Sequence, residues 1–287
     1  MNKLSISVYE KLIEKKATSK EIDFVLYLAR YQNAYGEVEG VYYRDICEEL
    51  GISAQGFYDL KESLIKKEII VCLKRDYTDW DITLLDNEFP DEEAYKKGYF
   101  QLHAKMFSSD KFRKMRAGAK LLAMDLYRFN LINKSSHEIN INKFFSKYQE
   151  LLGVRTAAVR LYLTQIKEFF YVNIVNKNYY FKLKKDMAKS PEGSQRTERQ
   201  NYQDQIYRTV LRRNRIKRVY EKAQMDVMKV LNIYHRDLIH SRAGVGFTKI
   251  VKESLEVINK GKPKAQYKRV LRPSLINKLL GEEFCYA

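Results

Sequence analysis

The stretch "LLGVRTAAVRLYLTQIK", residues 151–167, sets Val159, Tyr162, Leu163 and Ile166 on one side of a helix. That leaves Thr156, Ala157, Arg160, Thr164 and Lys167 on the other side. The second set has a definite chemistry. A guanidinium such as Arg160 offers two parallel donors to guanine O6 and N7, Thr164 donates or accepts, and Ala157 can touch a thymine methyl. Arg155 and Thr156, at the helix start, can hold phosphate with help from the unpaired backbone N–H groups there. More cations stand nearby: Lys177 in "NKN", and Lys111, Arg113, Lys114 and Arg116 upstream. A third group, Arg208, Arg212 and Arg215 in "RTVLRRNRIKR", follows a 3–4 spacing. That trio can track one phosphate backbone, or it can pin its helix to an acidic part of the chain.

The charge balance fits a polyanionic partner. The chain has 287 residues and a formal net charge of +17. Residues 1–100 hold 14 Lys and Arg against 20 Asp and Glu, whereas residues 101–190 hold 18 against 6 and residues 191–287 hold 21 against 10. The basic character therefore lies wholly in the last two-thirds, where neutralising phosphates would release counterions and supply affinity. Double-stranded DNA is the expected partner.

Other classes are disfavoured. A hydrophobic fraction of 45% is ordinary for globular chains, so wholesale disorder is not expected. No apolar run reaches membrane-spanning length, and Glu10, Lys11 and Glu14 interrupt any signal-peptide core, so a cytoplasmic protein is expected. Cys47, Cys72 and Cys285 are far apart and odd in number, which suits free thiols. His235-Arg236-Asp237-Leu238 spells part of a kinase catalytic loop, but Arg242 stands where that loop requires asparagine. His235 and His240 fall off one helical face, and His103 and His137 stand alone. No catalytic set, metal site or cofactor is expected.

The elements that position these residues occur twice. In the first hundred residues, "TSKEIDFVLYLARYQ" reads as a helix capped by Thr18 and Ser19, and "YGEVEG" as a loop. "YYRDICEELG" reads as a second helix closed by Gly51. Ser53 caps a third that turns Phe57, Leu60 and Leu64 inward, and "EIIVCLKRD" and "WDITLLD" form a hairpin around "YTD". The same order follows from "FRKMRAGAKLLAMDLYRFNLI", through "ININKFFSKYQELLG" and "RTAAVRLYLTQIKEFF", to a hairpin with "NKN" at its tip. At an offset of 102 residues Leu50-Gly51-Ile52 pairs with Leu152-Gly153-Val154, and Phe57, Leu60 and Leu64 pair with Val159, Tyr162 and Ile166.

Helix, helix, turn, helix, hairpin resembles the winged helix-turn-helix superfamily of DNA-binding domains, and both copies share the resemblance over about residues 18–185. The resemblance implies a mainly α (α+β) fold of tandem winged helices followed by a basic helical C-terminal region. The expected divisions are an acidic unit at 1–95, a basic DNA-binding unit at 100–188, a linker at 189–200 and the C-terminal region at 201–287. The last is expected to open with one long helix through "IYRTVLRRNRIKRVYEKAQMDVMKVLNIYHRDLIH". "AGVGF" then breaks it, and two further helices follow at about 247–260 and 264–280.

The copies differ in chemistry. The first offers Ala54, Gln55, Tyr58, Asp59, Lys61 and Glu62 on its outer side, where acid opposes DNA, so dimerisation or docking of a protein partner is expected there. The implied function is sequence-specific DNA binding by a homodimer, most simply a transcription regulator. Plasmid and phage replication initiators that bind origin repeats have a similar arrangement, and a winged-helix adaptor that binds only proteins is the third reading.

Overall fold

A computed structural model of the protein describes residues 2–75, 79–102, 104–133, 136–189, 198–242 and 246–285. Within it a short strand, β1 (Lys3–Ser5), leads into α1 (Ile6–Glu14), and neither was foreseen from sequence. Next come α2 (Ser19–Tyr31), β2 (Glu37–Tyr42), α3 (Tyr43–Leu50), α4 (Ala54–Lys66), β3 (Ile70–Lys74) and β4 (Asp79–Leu84). Thr18, of the expected pair Thr18 and Ser19, is the cap of α2 and closes a reciprocal capping box with Glu21. "YGEVEG" is mostly strand, not loop: β2 pairs with β4, with a register shift between Val38 and Val41 at Glu39-Gly40. The acids and the glycine hid the strand's alternation. The tip residues Tyr77 and Thr78 lie outside the described residues.

A connecting segment carries α5 (Glu92–Lys96), β5 (Tyr99–Gln101), α6 (Lys105–Ser108) and α7 (Asp110–Arg113). β5 pairs antiparallel with β1, so residues 99–101 join the N-terminal strand. The second unit follows as α8 (Ala117–Asn133), β6 (His137–Asn140), α9 (Ile141–Leu152), α10 (Thr156–Ile166), β7 (Phe170–Val175) and β8 (Asn178–Leu183), then α11 (Lys185–Ala188). The expected single helix from Phe112 is two pieces, α7 and α8, and the residues between them are Lys114, Met115 and Arg116.

The two units are built alike. Each runs helix, strand, helix, helix, strand, strand, and the three-stranded sheets have the equivalent orders β2-β4-β3 and β6-β8-β7. Gly51 and Gly153 end α3 and α9 at φ 60° and 61°, a left-handed cap that glycine adopts without a Cβ penalty. The next N–H turns back in both: Ile52 to the Cys47 carbonyl and Val154 to Gln149, each at 3.1 Å. Phe57, Leu64, Val159 and Ile166 are all fully buried, so the periodicity identified the inner faces of α4 and α10.

One continuous core joins the units, running from Leu4 to Leu183. At its centre Lys120 of α8 donates to Asp23 of α2 at 2.5 Å, with side chains 0% and 4% exposed. Burial pushes the lysine pKa down and the aspartate pKa up, and each charge offsets part of the shift of the other. Breaking such a pair leaves a buried charge unmatched. Arg30 donates to the Phe107 carbonyl and Arg113 to the Glu49 carbonyl, each at 2.7 Å, across the same seam.

A second core covers residues 202–284. It is formed by α12 (Glu198–Arg213), α13 (Glu221–Ile233), α14 (His235–Ile239), α15 (Phe247–Asn259) and α16 (Pro273–Cys285). The expected long helix is therefore broken. Arg215 turns at φ 54°, Ile216 donates back to the Leu211 carbonyl, and its side chain is 6% exposed in the core. Residues 264–272 are a short 3-10 turn and extended chain instead of helix. Proline at 273 disfavours helical backbone at Arg272 and itself suits the first helical position. Most of the linker, residues 190–197, and Ala243 to Val245 of "AGVGF" lie outside the described residues, as does His103.

Candidate nucleic-acid interface

In the second unit, α8 and α9 hold α10 by its inner face. Val159, Leu163 and Ile166 are buried, and Tyr162 packs over Gly118, where a Cβ would lie 2.4 Å from the ring. Arg155, Ala157, Arg160, Thr164 and Lys167 are exposed and Thr156 is half-buried, so the structure brings these six residues together along one helix and its start. Arg160 lies 5.7 Å from the Phe145 ring, and the Thr164 hydroxyl donates to the Arg160 carbonyl at 3.2 Å. Both are weak, exposed contacts. Among the described residues no ion pair engages Arg155, Arg160 or Lys167.

The β7–β8 hairpin turns on Asn176 and Lys177, at φ 49° and 60°. Two left-handed residues in succession match the strand twist and give a tight reversal. The Lys177 carbonyl accepts from the Ile141 N–H at 3.0 Å, which ties the tip to the start of α9 and leaves the lysine side chain exposed.

The upstream cations divide. Lys114 and Arg116 are exposed. Lys111 pairs with Glu168 just beyond α10, and that contact holds the Glu168 carboxyl below its ordinary range. Arg113 donates to the Glu49 carbonyl and, at 3.0 Å, to Asp110. Lys111 and Arg113 are thus engaged within the protein, Arg113 as a clasp between the two units.

The first copy presents a different face. Gln55 donates to Asp59 on the outer side of α4, where Glu62 is also exposed. Lys61, expected on that side, is 6% exposed with its ammonium 4.0 Å from the Trp80 ring centre. The Trp80 ring on β4, nineteen positions along the chain, draws it inward.

The arginine-dense helix faces the protein. Arg212 sits against β2 and β4, with Nε 3.3 Å from Asp79 and Nη1 3.8 Å from Asp45; it also donates to the Gly40 carbonyl and lies over the Tyr42 ring. Arg213 donates to Asp79 at 3.1 Å and to Asp81 at 2.5 Å, both buried carboxylates. Gln205 and Thr209 take the Glu39 carbonyl at 2.8 and 3.2 Å. Of the expected phosphate row of Arg208, Arg212 and Arg215, Arg212 alone is taken up by carboxylates among the described residues. Arg208 is exposed, Arg215 is exposed beyond the helix end, and Arg212 is bound to carboxylates of the first unit. The acidic excess of residues 1–100 is matched in part by arginines of the same chain.

Residues 260–272, "KGKPKAQYKRVLR", were not among the expected site residues. Six cations in thirteen positions with no acid were a legible signal. Among the described residues no cluster could hold a metal ion and no helix is long and apolar enough to cross a membrane. No protein-family model, curated protein or solved structure matches the chain.

Proposed function

We propose that the protein binds duplex DNA sequence-specifically through two winged helix-turn-helix units of unequal role, and that it acts as a transcription regulator. One observation carries the reading. The exposed side of α10 presents arginine, lysine, threonine and alanine that no ion pair engages among the described residues, while the matching side of α4 presents acid. The repeated element order and equivalent sheet orders support the winged-helix assignment. B-DNA's major groove admits one helix, and Arg160 is the guanine reader. Lys177 on the hairpin tip and Lys114 and Arg116 before α8 add phosphate contacts. The first unit serves contact, first with its own C-terminal region and then with a second copy, giving a homodimer on a two-fold site.

Selection of bound DNA fragments from a random pool tests this. A single inverted repeat is expected, and direct repeats would mark a replication initiator instead. Arg160→Ala should lose about 1–3 kcal/mol and relax preference at one or two base pairs. Unchanged specificity in a competition titration would remove α10 from the reading role, and absence of duplex affinity in the wild type would sink the proposal.

A further inference from the structure

The loop between α15 and α16 faces the turn after α12 across an open cleft of about 510 Å³. Arg213, Arg215, Lys252, Lys260, Lys262 and Arg269 converge on it, and among the described residues Glu256 is the single carboxylate in its lining. Arg213 is turned toward Asp79 and Asp81, and Lys262 donates to the Ile258 carbonyl. Among the described residues no ion pair engages Arg215, Lys252, Lys260 or Arg269.

The loop is held in shape. The Asn259 side chain accepts from the Lys268 N–H at 2.6 Å and donates to the Lys268 carbonyl at 3.0 Å. That clamp brings Lys260 and Arg269 to the same mouth, and Leu271 anchors the far end in the core at 8% exposed. Like charges fixed so close repel one another unless a counter-charge joins them. The same loop carries three further exposed cations outside the cleft's lining, Lys264, Lys268 and Arg272. A small anion would be satisfied by the cleft alone, whereas a polymer of regularly spaced phosphates could also engage the further cations of the loop.

We infer that this cleft and its basic loop bind the phosphate backbone of duplex DNA, as a second contact beside the base-reading helix α10. The inference rests on the proposed function. It assigns the C-terminal region a sequence-independent anchoring role, carried by Lys252, Lys260 and Arg269 instead of by the arginines of α12.

The test uses the full chain and the duplex selected above, titrated between about 50 and 200 mM salt. Lys252→Ala, Lys260→Ala and Arg269→Ala remove three exposed cations together, and Lys66→Ala, Lys96→Ala and Lys222→Ala form a charge-matched control. The cleft variant should flatten the slope of log K against log salt by about 2–3, since each phosphate contact contributes about 0.9, with base preference unchanged. The control should keep the wild-type slope. Equal flattening in both variants would reduce the effect to general charge and overturn the inference. An unchanged slope in the cleft variant, while Arg160→Ala still relaxes specificity, would overturn the cleft and leave the proposed function standing. A wild type without duplex affinity would overturn both. Inorganic tripolyphosphate is the second probe: if it raises the melting temperature of the wild type but not of the cleft variant, and the DNA slope is unchanged, the cleft takes a small phosphorylated ligand and the DNA assignment falls. If the triple variant does not fold, Lys260→Glu and Arg269→Glu singly carry the same comparison.

Discussion

Replacing Arg212 by alanine separates an arginine that grips DNA from one that holds the protein together. Its guanidinium donates to the buried Asp79 carboxylate and to the Gly40 carbonyl, and it covers the Tyr42 ring at 4.7 Å. A hydrogen bond to a charged group contributes about 1.5–3 kcal/mol, and a partly desolvated cation–π contact about 1 kcal/mol. Asp79 keeps Arg213 at 3.1 Å, so its charge is not left unmatched. The 3.3 Å contact to Asp79 is also long for a strong bond. The expected loss is therefore about 2–4 kcal/mol. For a chain of 287 residues, whose unfolding entropy is about 0.6 kcal/mol/K, that lowers the melting temperature by roughly 3–7 °C. Hydrogen exchange should show lost protection in α12 and β2 first, because those elements meet at this contact. The salt slope of DNA binding should not change. A variant that melts like the wild type while its salt slope falls by about 0.9 would refute the argument and return Arg212 to the phosphate backbone.

Three further outcomes follow from the packing. Gly40 sits at φ 65° with Thr209 atoms 2.2 Å from a would-be Cβ, so Gly40→Ala should cost about 2–5 kcal/mol from left-handed strain plus overpacking. Gly51→Ala, at φ 60° with open space around it, should cost only the strain, and equal losses in denaturant titrations would remove the close contact from the account. Lys120→Met should destabilise by about 3–5 kcal/mol because Asp23 is left buried and unpaired, and adding Asp23→Leu should restore most of that; no recovery in the double variant would show that the pair is not the cause. Burial and the nearby Arg199 charge hold the His235 pKa down to about 4, below its ordinary 6.5. Its neutral form therefore stabilises the fold fully above about pH 6.5, and that contribution fades as pH falls toward 4. His235→Gln should flatten the wild-type decline in melting temperature across this window, and parallel curves would reject the assignment.

The sequence by itself determined what repeats along the chain. Period and punctuation located α4 and α10, their buried faces at Phe57, Leu64, Val159 and Ile166, and the glycine turns at Gly51 and Gly153. Both are local properties: side-chain spacing sets which face of a helix can be buried, and glycine adopts a left-handed cap without a Cβ penalty. The same spacing identified the exposed set on α10 that includes Arg160. Tertiary structure decided which charges are free. Arg212 and Arg160 look alike in sequence, yet Arg212 lies on Asp79, a residue 133 positions away, and Arg160 faces outward. Lys61 went to Trp80, Lys111 to Glu168 and Arg113 to Glu49 for the same reason. β2 was hidden because its bulge at Glu39-Gly40 is shaped for Gln205, Thr209 and Arg212 of a distant helix. A cation's role depends on the nearest counter-charge in space, and only the folded chain fixes that distance.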